Sequence, residues 1–249
     1  MKTDDTFGKK LAVLMTCHNR REKTLRCLAS LFSCRPEAGL ELSVHLVDDG
    51  SSDGTGDAVR QAYPSVSVIR GDGTLFWNRG MRKAWEDALK KNADFYLWLN
   101  DDTVLYPSAL VHLLEASRQM EHLAVICGST CGPGTDEWTY GGMSGGKPVI
   151  PDGTLQECAL CHGNILWVPR HVVDRIGILD GFYLHALGDY DYSRTAHSCG
   201  IPLRVAPSFL GTCAWHDKAV PWTDREVPLI RRLRNLYSPL GNAQPRHYF

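Results

Sequence analysis

The stretch Phe95–Asp102, FYLWLNDD, decides how the rest of the chain is read. Its first five residues, Phe95 to Leu99, are mostly apolar and favour β structure, so they read as a buried strand. That strand runs straight into Asn100-Asp101-Asp102. Two adjacent carboxylates at the end of a buried strand repel each other and cost free energy unless a cation sits with them. A divalent metal holding a phosphorylated ligand at the carboxyl edge of an open α/β sheet meets that requirement. The alternative is a solvated acidic turn, and the flanking sequence has to decide between the two.

On the N-terminal side, Leu11–Thr16 (LAVLMT) is a continuous apolar run and reads as a buried parallel strand. Arg21–Phe32 carries Leu25, Leu28, Leu31 and Phe32 at helical spacing. Glu41–Val47 is a second strand that also ends in paired acids, Asp48-Asp49, followed by the turn-rich GSSDGTG of residues 50–56. A helix over about Asp57–Ala62, a short strand Val66–Arg70 and a tight turn Gly71-Asp72-Gly73 follow. Trp77–Lys91 fits a helix with Met81, Trp85 and Leu89 on one face. Beyond the opening strand, a helix from Pro107-Ser108 to near Met120 precedes a fifth strand, Leu123–Cys127. This alternation predicts a mostly parallel sheet with helices on both faces.

After Cys127 the pattern changes. Gly128–Gly153 is rich in Gly and Pro and is expected to form loops and short antiparallel strands. Ile165–Val168 and Leu203–Ala206 read as strands, Arg170–Ile176 as a short helix, and Gly188–Cys199 as a helix. The second half has no core pattern of its own. The expectation is therefore one domain over 1–217, with a first half of about 10–127, a second of about 128–217, and an extension over 218–249.

The chain has 249 residues and a formal net charge of −1. That excludes a basic field of the size nucleic acid requires. No apolar run reaches the length of a membrane span, and MKTDDTFGKK lacks a signal-peptide core. Nine cysteines without an export signal predict reduced thiols in a cytosol. Several motifs fail on inspection. Asp49 opens a string resembling a calcium loop, but the twelfth position is Arg60, where a bidentate Glu is needed. Gly142-Met143-Ser144-Gly145-Gly146 fits a nucleophile elbow in letters only, because Lys147-Pro148 follows where a helix should start. No G-x-G-x-x-G or phosphate-loop G-K-S/T appears. Cys127, Cys131, Cys158 and Cys161-His162 are read as buried thiols rather than zinc ligands, because the two sets lie far apart and the first is loosely spaced.

What remains is a coincidence of strand ends. Thr16, Asp48-Asp49, Gly71-Asp72-Gly73 and Asn100-Asp101-Asp102 all converge on one edge of a parallel sheet. Carboxylates there suit a ribose, a base N–H and a metal, which together describe a nucleoside diphosphate.

In this order, T-C-H-N-R ending at Arg20, VDDGSSDGT over 47–55, LNDD over 99–102 and Gly188-Asp189-Tyr190-Asp191 resemble the signature of family 2 glycosyltransferases with the GT-A fold. The resemblance covers roughly residues 10–217. Gly71–Trp77 and the Gly-Asp-Tyr-Asp form look most like bacterial rhamnosyltransferase-like members. It implies a Rossmann-like, mostly parallel sheet with helices on both faces and a smaller antiparallel acceptor-side extension. It also implies an inverting transfer from a UDP- or dTDP-sugar, possibly dTDP-rhamnose, to a glycan or lipid-linked saccharide in surface polysaccharide synthesis, with Mg²⁺ or Mn²⁺. By motif position, Thr16, Asn19, Arg20, Asp49, Gly73, Asn78 and Asp101 would bind the nucleotide-sugar, with Asp49 on the base. Asp102 would hold the metal, with His216 as a further metal ligand. Asp189 matches the catalytic acid of an E-D-x-D stretch, although Gly188 stands where the family has Glu. Members of this kind often continue further, which leaves Phe249 open as a truncated end.

Asp189 also has a physical reading. A carboxylate at a helix N-terminus is stabilised as the anion, and Asp191, two residues on, points elsewhere. The alternative is a plain N-cap. Two other functions compete: a nucleotidyltransferase, which would want a Gly-rich basic loop after the first strand, and a non-catalytic nucleotide-sugar-binding module. Finally, Leu229, Ile230, Leu233 and Leu236 recur at helical spacing among Arg231, Arg232 and Arg234. This is either a solvated helix docked on the core or a peripheral contact with an anionic inner membrane.

Overall fold

The computed structural model describes residues 9–34, 40–215 and 222–241. Strand β1 (Lys9–Cys17) is buried from Leu11 onward, and its side chains alternate between two covered faces. Leu11, Val13 and Met15 enter one hydrophobic cluster, Ala12 and Leu14 the other. Helix α1 (Arg21–Ser33), strand β2 (Leu40–Asp48), helix α2 (Thr55–Ala62) and strand β3 (Ser67–Arg70) follow. Helix α3 (Phe76–Ala88) ends in a 3₁₀ turn, Leu89–Lys91, and leads to β4 (Phe95–Leu99). A short strand β5 (Val104–Leu105), helix α4 (Ala109–Gln119) and strand β6 (Val125–Cys131) close the first half.

The second half consists of small pieces: β7 (Trp138–Tyr140), β8 (Gly142–Ser144), β9 (Lys147–Pro148), β10 (Gln156–Glu157) and β11 (Leu160–Cys161). Then come β12 (Ile165–Pro169), α5 (Arg170–Ile176), α6 (Gly188–Ser198), β13 (Leu203–Thr212) and α7 (Leu229–Leu236). Among the described residues, one ten-stranded sheet runs β10-β13-β6-β12-β4-β1-β2-β3, with β5 on β13 and β7 on β6. A separate antiparallel sheet runs β11-β8-β9. Strands β4, β1, β2 and β3 are mutually parallel, as are β6 and β13. Helices α1 and α4 cover one face through Leu28, Leu31, Leu110 and Leu113. Helices α3, α5 and α6 cover the other through Met81, Trp85, Val172 and Tyr192. Full burial of such a side chain is worth about 1.5–3 kcal/mol.

Two strands run well past their expected ends. Strand β6 reaches Cys131 rather than Cys127, and all seven of its residues are buried. Its polar end survives burial because Thr130 and Thr139 hydroxyls pair at 2.9 Å. Strand β13 reaches Thr212 rather than Ala206, passing Pro207 through register shifts, and pairs with β5, which carries no periodic signal. Strand β12 lies between β4 and β6 and is antiparallel to both. Its start therefore lies beside the end of β4, where Asn100 N–H donates to the Asn164 carbonyl at 3.1 Å. Trp98 of β4 and Tyr192 of α6 sit 5.2 Å apart, which brings the first turn of α6 to the same edge.

Candidate active site

The turn after β1 and the turn after β2 hold each other. Asn19, at φ 52°, donates its N–H to Ser51 Oγ at 2.9 Å and accepts the Ser52 N–H at 2.8 Å. Asp53 accepts the N–H of Thr55 in the first turn of α2. The 48–55 stretch is thus a turn that starts a helix. Asp49 is buried, and its carboxylate accepts three backbone N–H groups: Gly73 at 2.8 Å, Leu75 at 3.0 Å and Phe76 at 2.9 Å. Gly73 has φ 89° and lies so close to Gly50 that a Cβ on Gly50 would come within 2.8 Å of its nitrogen. His18 Nδ1 meets the Asp49 carbonyl at 2.6 Å.

Asp101 and Asp102 are both buried, and Arg20 bridges them at 3.0 and 2.9 Å. Burial pushes the Asp101 carboxyl up to about 6, against the pull of the Arg20 guanidinium and with the push of Asp102. Burial opposes the charge on Arg20 itself, but the two carboxylates outweigh it and raise its pKa. Cys213, a thiol held up to about 12 by burial, lies 3.6 Å from Asp102 Oδ1. Among the described residues no three His, Cys, Asp or Glu side chains gather around one point. His216 and the expected boundary at 217 lie outside the described residues. The donor set fits a hard divalent cation held by one or two carboxylates, with its other ligands drawn from phosphate oxygens. Asp102, with Asp101 beside it, would hold that ion.

Asp189 stands at the second position of α6. The N-cap is Leu187, at φ 73°, so Asp189 does not cap the helix. Its carboxylate accepts the Gly163 N–H at 3.2 Å and the Tyr190 N–H at 2.9 Å. Burial nevertheless pushes it up to about 6, against those two donors. The helix N-terminus was expected to keep it low; desolvation outweighs that effect. Asp191 points away and accepts the Tyr183 hydroxyl at 3.0 Å. Gly188 approaches Asn78 so closely that a Cβ there would lie 1.8 Å from Asn78 Oδ1. A side chain here would require Asn78 to move, which is a physical reason for Gly where the family pattern has Glu. Asn78 itself is fully buried, and its amide donates to the Asp180 and Tyr183 carbonyls at 2.7 and 2.9 Å. It supports the 180–184 segment rather than facing the cavity.

Two adjoining cavities share Arg20, Trp77, Asp101, His185 and Leu240. One, about 320 Å³, is lined by Thr16, Asp49 and Gly73. The other, about 490 Å³, is lined by both Asp102 and Asp189. Of the predicted site residues, Thr16, Arg20, Asp49, Gly73, Asp101, Asp102 and Asp189 line these cavities. A further cavity, about 410 Å³, is lined by Lys10, Glu41, His45 and Ser67 at the strand starts, away from all of them.

The profile of glycosyl transferase family 2 matches residues 12–177, which include Thr16, Arg20, Asp49, Gly73, Asp101 and Asp102 but not Asp189. The chain belongs to glycosyl transferase family 2. Among curated proteins, no sequence matches it. The fold is that of two solved structures. One is the mannosyltransferase PcManGT from Pyrobaculum calidifontis in complex with GDP-Man and Mn2+, 17% identical, with a TM-score of 0.60. That match covers 97% of this chain and 67% of the mannosyltransferase. The other is S. aureus TarS 1-349, 14% identical, with a TM-score of 0.61, covering 96% of this chain and 72% of that one.

The candidate site also contains residues to which the sequence reading gave no role. Trp77 Nε1 donates to Asn100 Oδ1 at 2.7 Å and so joins the two cavities. Gly163 and His162 arrive through the antiparallel course of β12. Trp222 and Leu240 line the larger cavity from the C-terminal segment. The richness of 138–140 and 183–192 in aromatic residues is the one sequence signal that could have marked this wall.

Proposed function

We propose that this glycosyltransferase is inverting and metal-dependent, and that it moves a sugar from a UDP- or dTDP-sugar to a saccharide or lipid-linked acceptor. The observation that carries this reading is that Asp101, Asp102 and Asp189 line one and the same cavity. The acceptor hydroxyl oxygen attacks the anomeric carbon, the carbon–oxygen bond to the diphosphate breaks, and the hydroxyl proton passes to Asp189. The diphosphate leaves with the bonding pair. A divalent ion on Asp102 supplies neutralisation of that charge when bound. Asp49 fixes the 73–76 turn and presents its remaining acceptor capacity to the base. Residues 1–217 act as one catalytic unit in this reading.

Surface polysaccharide synthesis, with dTDP-rhamnose as donor, is the proposed setting. Helix α7 has no buried residue, and Leu229 and Ile230 are exposed beside its arginines, which supports peripheral contact with an anionic membrane. No helix among the described residues is long and apolar enough to cross one. The test is a thermal-shift panel of UDP-, dTDP- and GDP-sugars with and without Mn²⁺, because a ligand of the native state raises its apparent stability. A stabilisation that needs both nucleotide and metal is expected. No response to any nucleotide would overturn the reading.

A further inference from the structure

Tyr140, His162 and Tyr190 line the larger cavity together with Asp189, and Trp215 lines a neighbouring cavity of about 330 Å³ that shares Asp102 with it. Tyr140 of β7 and Trp215 stack with ring centroids 5.1 Å apart and planes 25° from parallel. Trp138 backs Trp215 at 6.1 Å. His162 meets the edge of Tyr140 at 5.7 Å and lies 5.7 Å from Tyr190. His162 Nδ1 accepts the Gly141 N–H, so Nε2 carries the proton and donates to the Tyr190 hydroxyl at 3.0 Å. That leaves the Tyr190 proton for an external oxygen. These rings come from β7, the turn before β12, α6 and the segment after β13, so the wall is built by the tertiary structure.

The wall is also tied to the base. His162 fixes Tyr190 while its neighbour Gly163 donates to Asp189. Trp215 remains 51% exposed although it is part of the stack. An exposed indole face continuous with a cavity is suited to a partner that is apolar on one side and polar at its rim. A pyranose has that form: polarised ring C–H groups on one face meet the negative π-face of an aromatic ring, and its hydroxyls reach outward. The five rings themselves offer no formal charge, so what they add is a stacking face, while Lys23 and Arg26 are the cations of the cavity that Trp215 lines.

We propose that Tyr140 and Trp215, backed by Trp138 and His162, form a stacking subsite for the acceptor, and that the acceptor presents a pyranose ring there. The proposal rests on the glycosyltransferase reading above, with Asp189 facing the acceptor hydroxyl.

The test uses the full chain and two independent arms. In the first, saturation-transfer NMR is run with methyl β-D-glucopyranoside and methyl β-D-galactopyranoside, with ribitol as an acyclic control. Ring C–H protons of a pyranoside should receive saturation from the wild type, and ribitol should not. Trp215→Ala and Tyr140→Ala should each weaken binding roughly tenfold, the scale of one lost aromatic contact. Trp215→Phe should retain most of it. In the second arm, the melting-temperature rise with UDP or dTDP and Mn²⁺ should be the same in these variants as in the wild type. Absence of pyranoside signal in the wild type, equal signal from ribitol, or full binding in Trp215→Ala overturns the subsite. Loss of the nucleotide response in the wild type overturns the transferase reading instead, while pyranoside signals that vanish in Trp215→Ala would still support a sugar-stacking site.

Discussion

The guanidinium of Arg20 lies 2.9 Å from the Asp102 carboxylate, joining the loop after the first strand to the end of the fourth. Arg20 is the counter-charge the paired acids need, and the same arginine reaches Asp101 at 3.0 Å. Asp102 can therefore be removed without leaving a buried charge unpaired, since Arg20 keeps Asp101. In Asp102→Ala the apo melting temperature should stay within a few degrees of wild type. With UDP or dTDP and Mn²⁺ at about a hundred times Kd, the wild type should gain about 2.7 kcal/mol. The variant should lose the metal-dependent part of that gain. Calorimetric melting in both conditions checks it, and an unchanged metal response would remove Asp102 as the metal residue.

Asp189→Asn removes the proposed base and keeps the shape. Transfer should fall by on the order of 10²-fold or more, with donor binding intact. In the wild type, kcat/KM should fall as pH drops below about 6, because Asp189 is pushed up to about 6 and must be unprotonated to accept a proton. Asp101 titrates in the same window, so donor binding is followed separately by thermal shift. Near wild-type transfer by the variant would move the base elsewhere.

The same raised pKa carries a stability prediction of opposite sign to that of a salt-bridged carboxylate. The folded protein binds the Asp189 proton more tightly than the unfolded chain, whose value is about 3.9. Stability therefore falls as pH rises from about 4 to about 6. Asp189→Asn cannot titrate, so its melting temperature should decline less across that window. Parallel melting curves for the two proteins would show that burial of Asp189 is not costly.

Gly188→Ala should destabilise the fold. A Cβ at this position meets the Asn78 side chain, which is buried and spent on two carbonyls. Forcing an extra methyl group into such packing costs about 1–3 kcal/mol. For a chain of this size that is several degrees of melting temperature. A Gly188→Glu variant, with the acid of the family pattern, should fare worse. Equal melting of Gly188→Ala and wild type would show that this approach is loose.

Helix α7 gives the membrane prediction. Vesicles containing anionic lipid should float the full chain, and a version ending near Val220 should remain behind. Neutral vesicles should bind neither. Equal flotation of both proteins would assign α7 to some other surface.

Much of the first half was legible in the sequence because its determinants are local. Residues 11–15 and 95–99 are apolar at successive positions, and runs that short and β-favouring suit a strand covered from both sides. The acids at 48–49 and 101–102 stand where strands stop, and a parallel sheet sends those stops to one edge. The order of the four motifs was enough to identify the family. Asn19 and Asn78 were less legible. Both fall within the motif-bearing region, but one clamps the 51–53 turn and the other holds the 180–184 segment.

The other wall of the site was decided by tertiary structure. Residues 162–164 reach the Asp102 edge only because β12 is inserted antiparallel beside β4, and a strand's direction leaves no mark in its hydrophobic pattern. The aromatic wall gathers residues from 138 to 215, whose proximity is a matter of sheet order. The protonation of Asp101 and Asp189 was likewise beyond the sequence, because it depends on desolvation, and desolvation is set by what the rest of the chain packs around each carboxyl group.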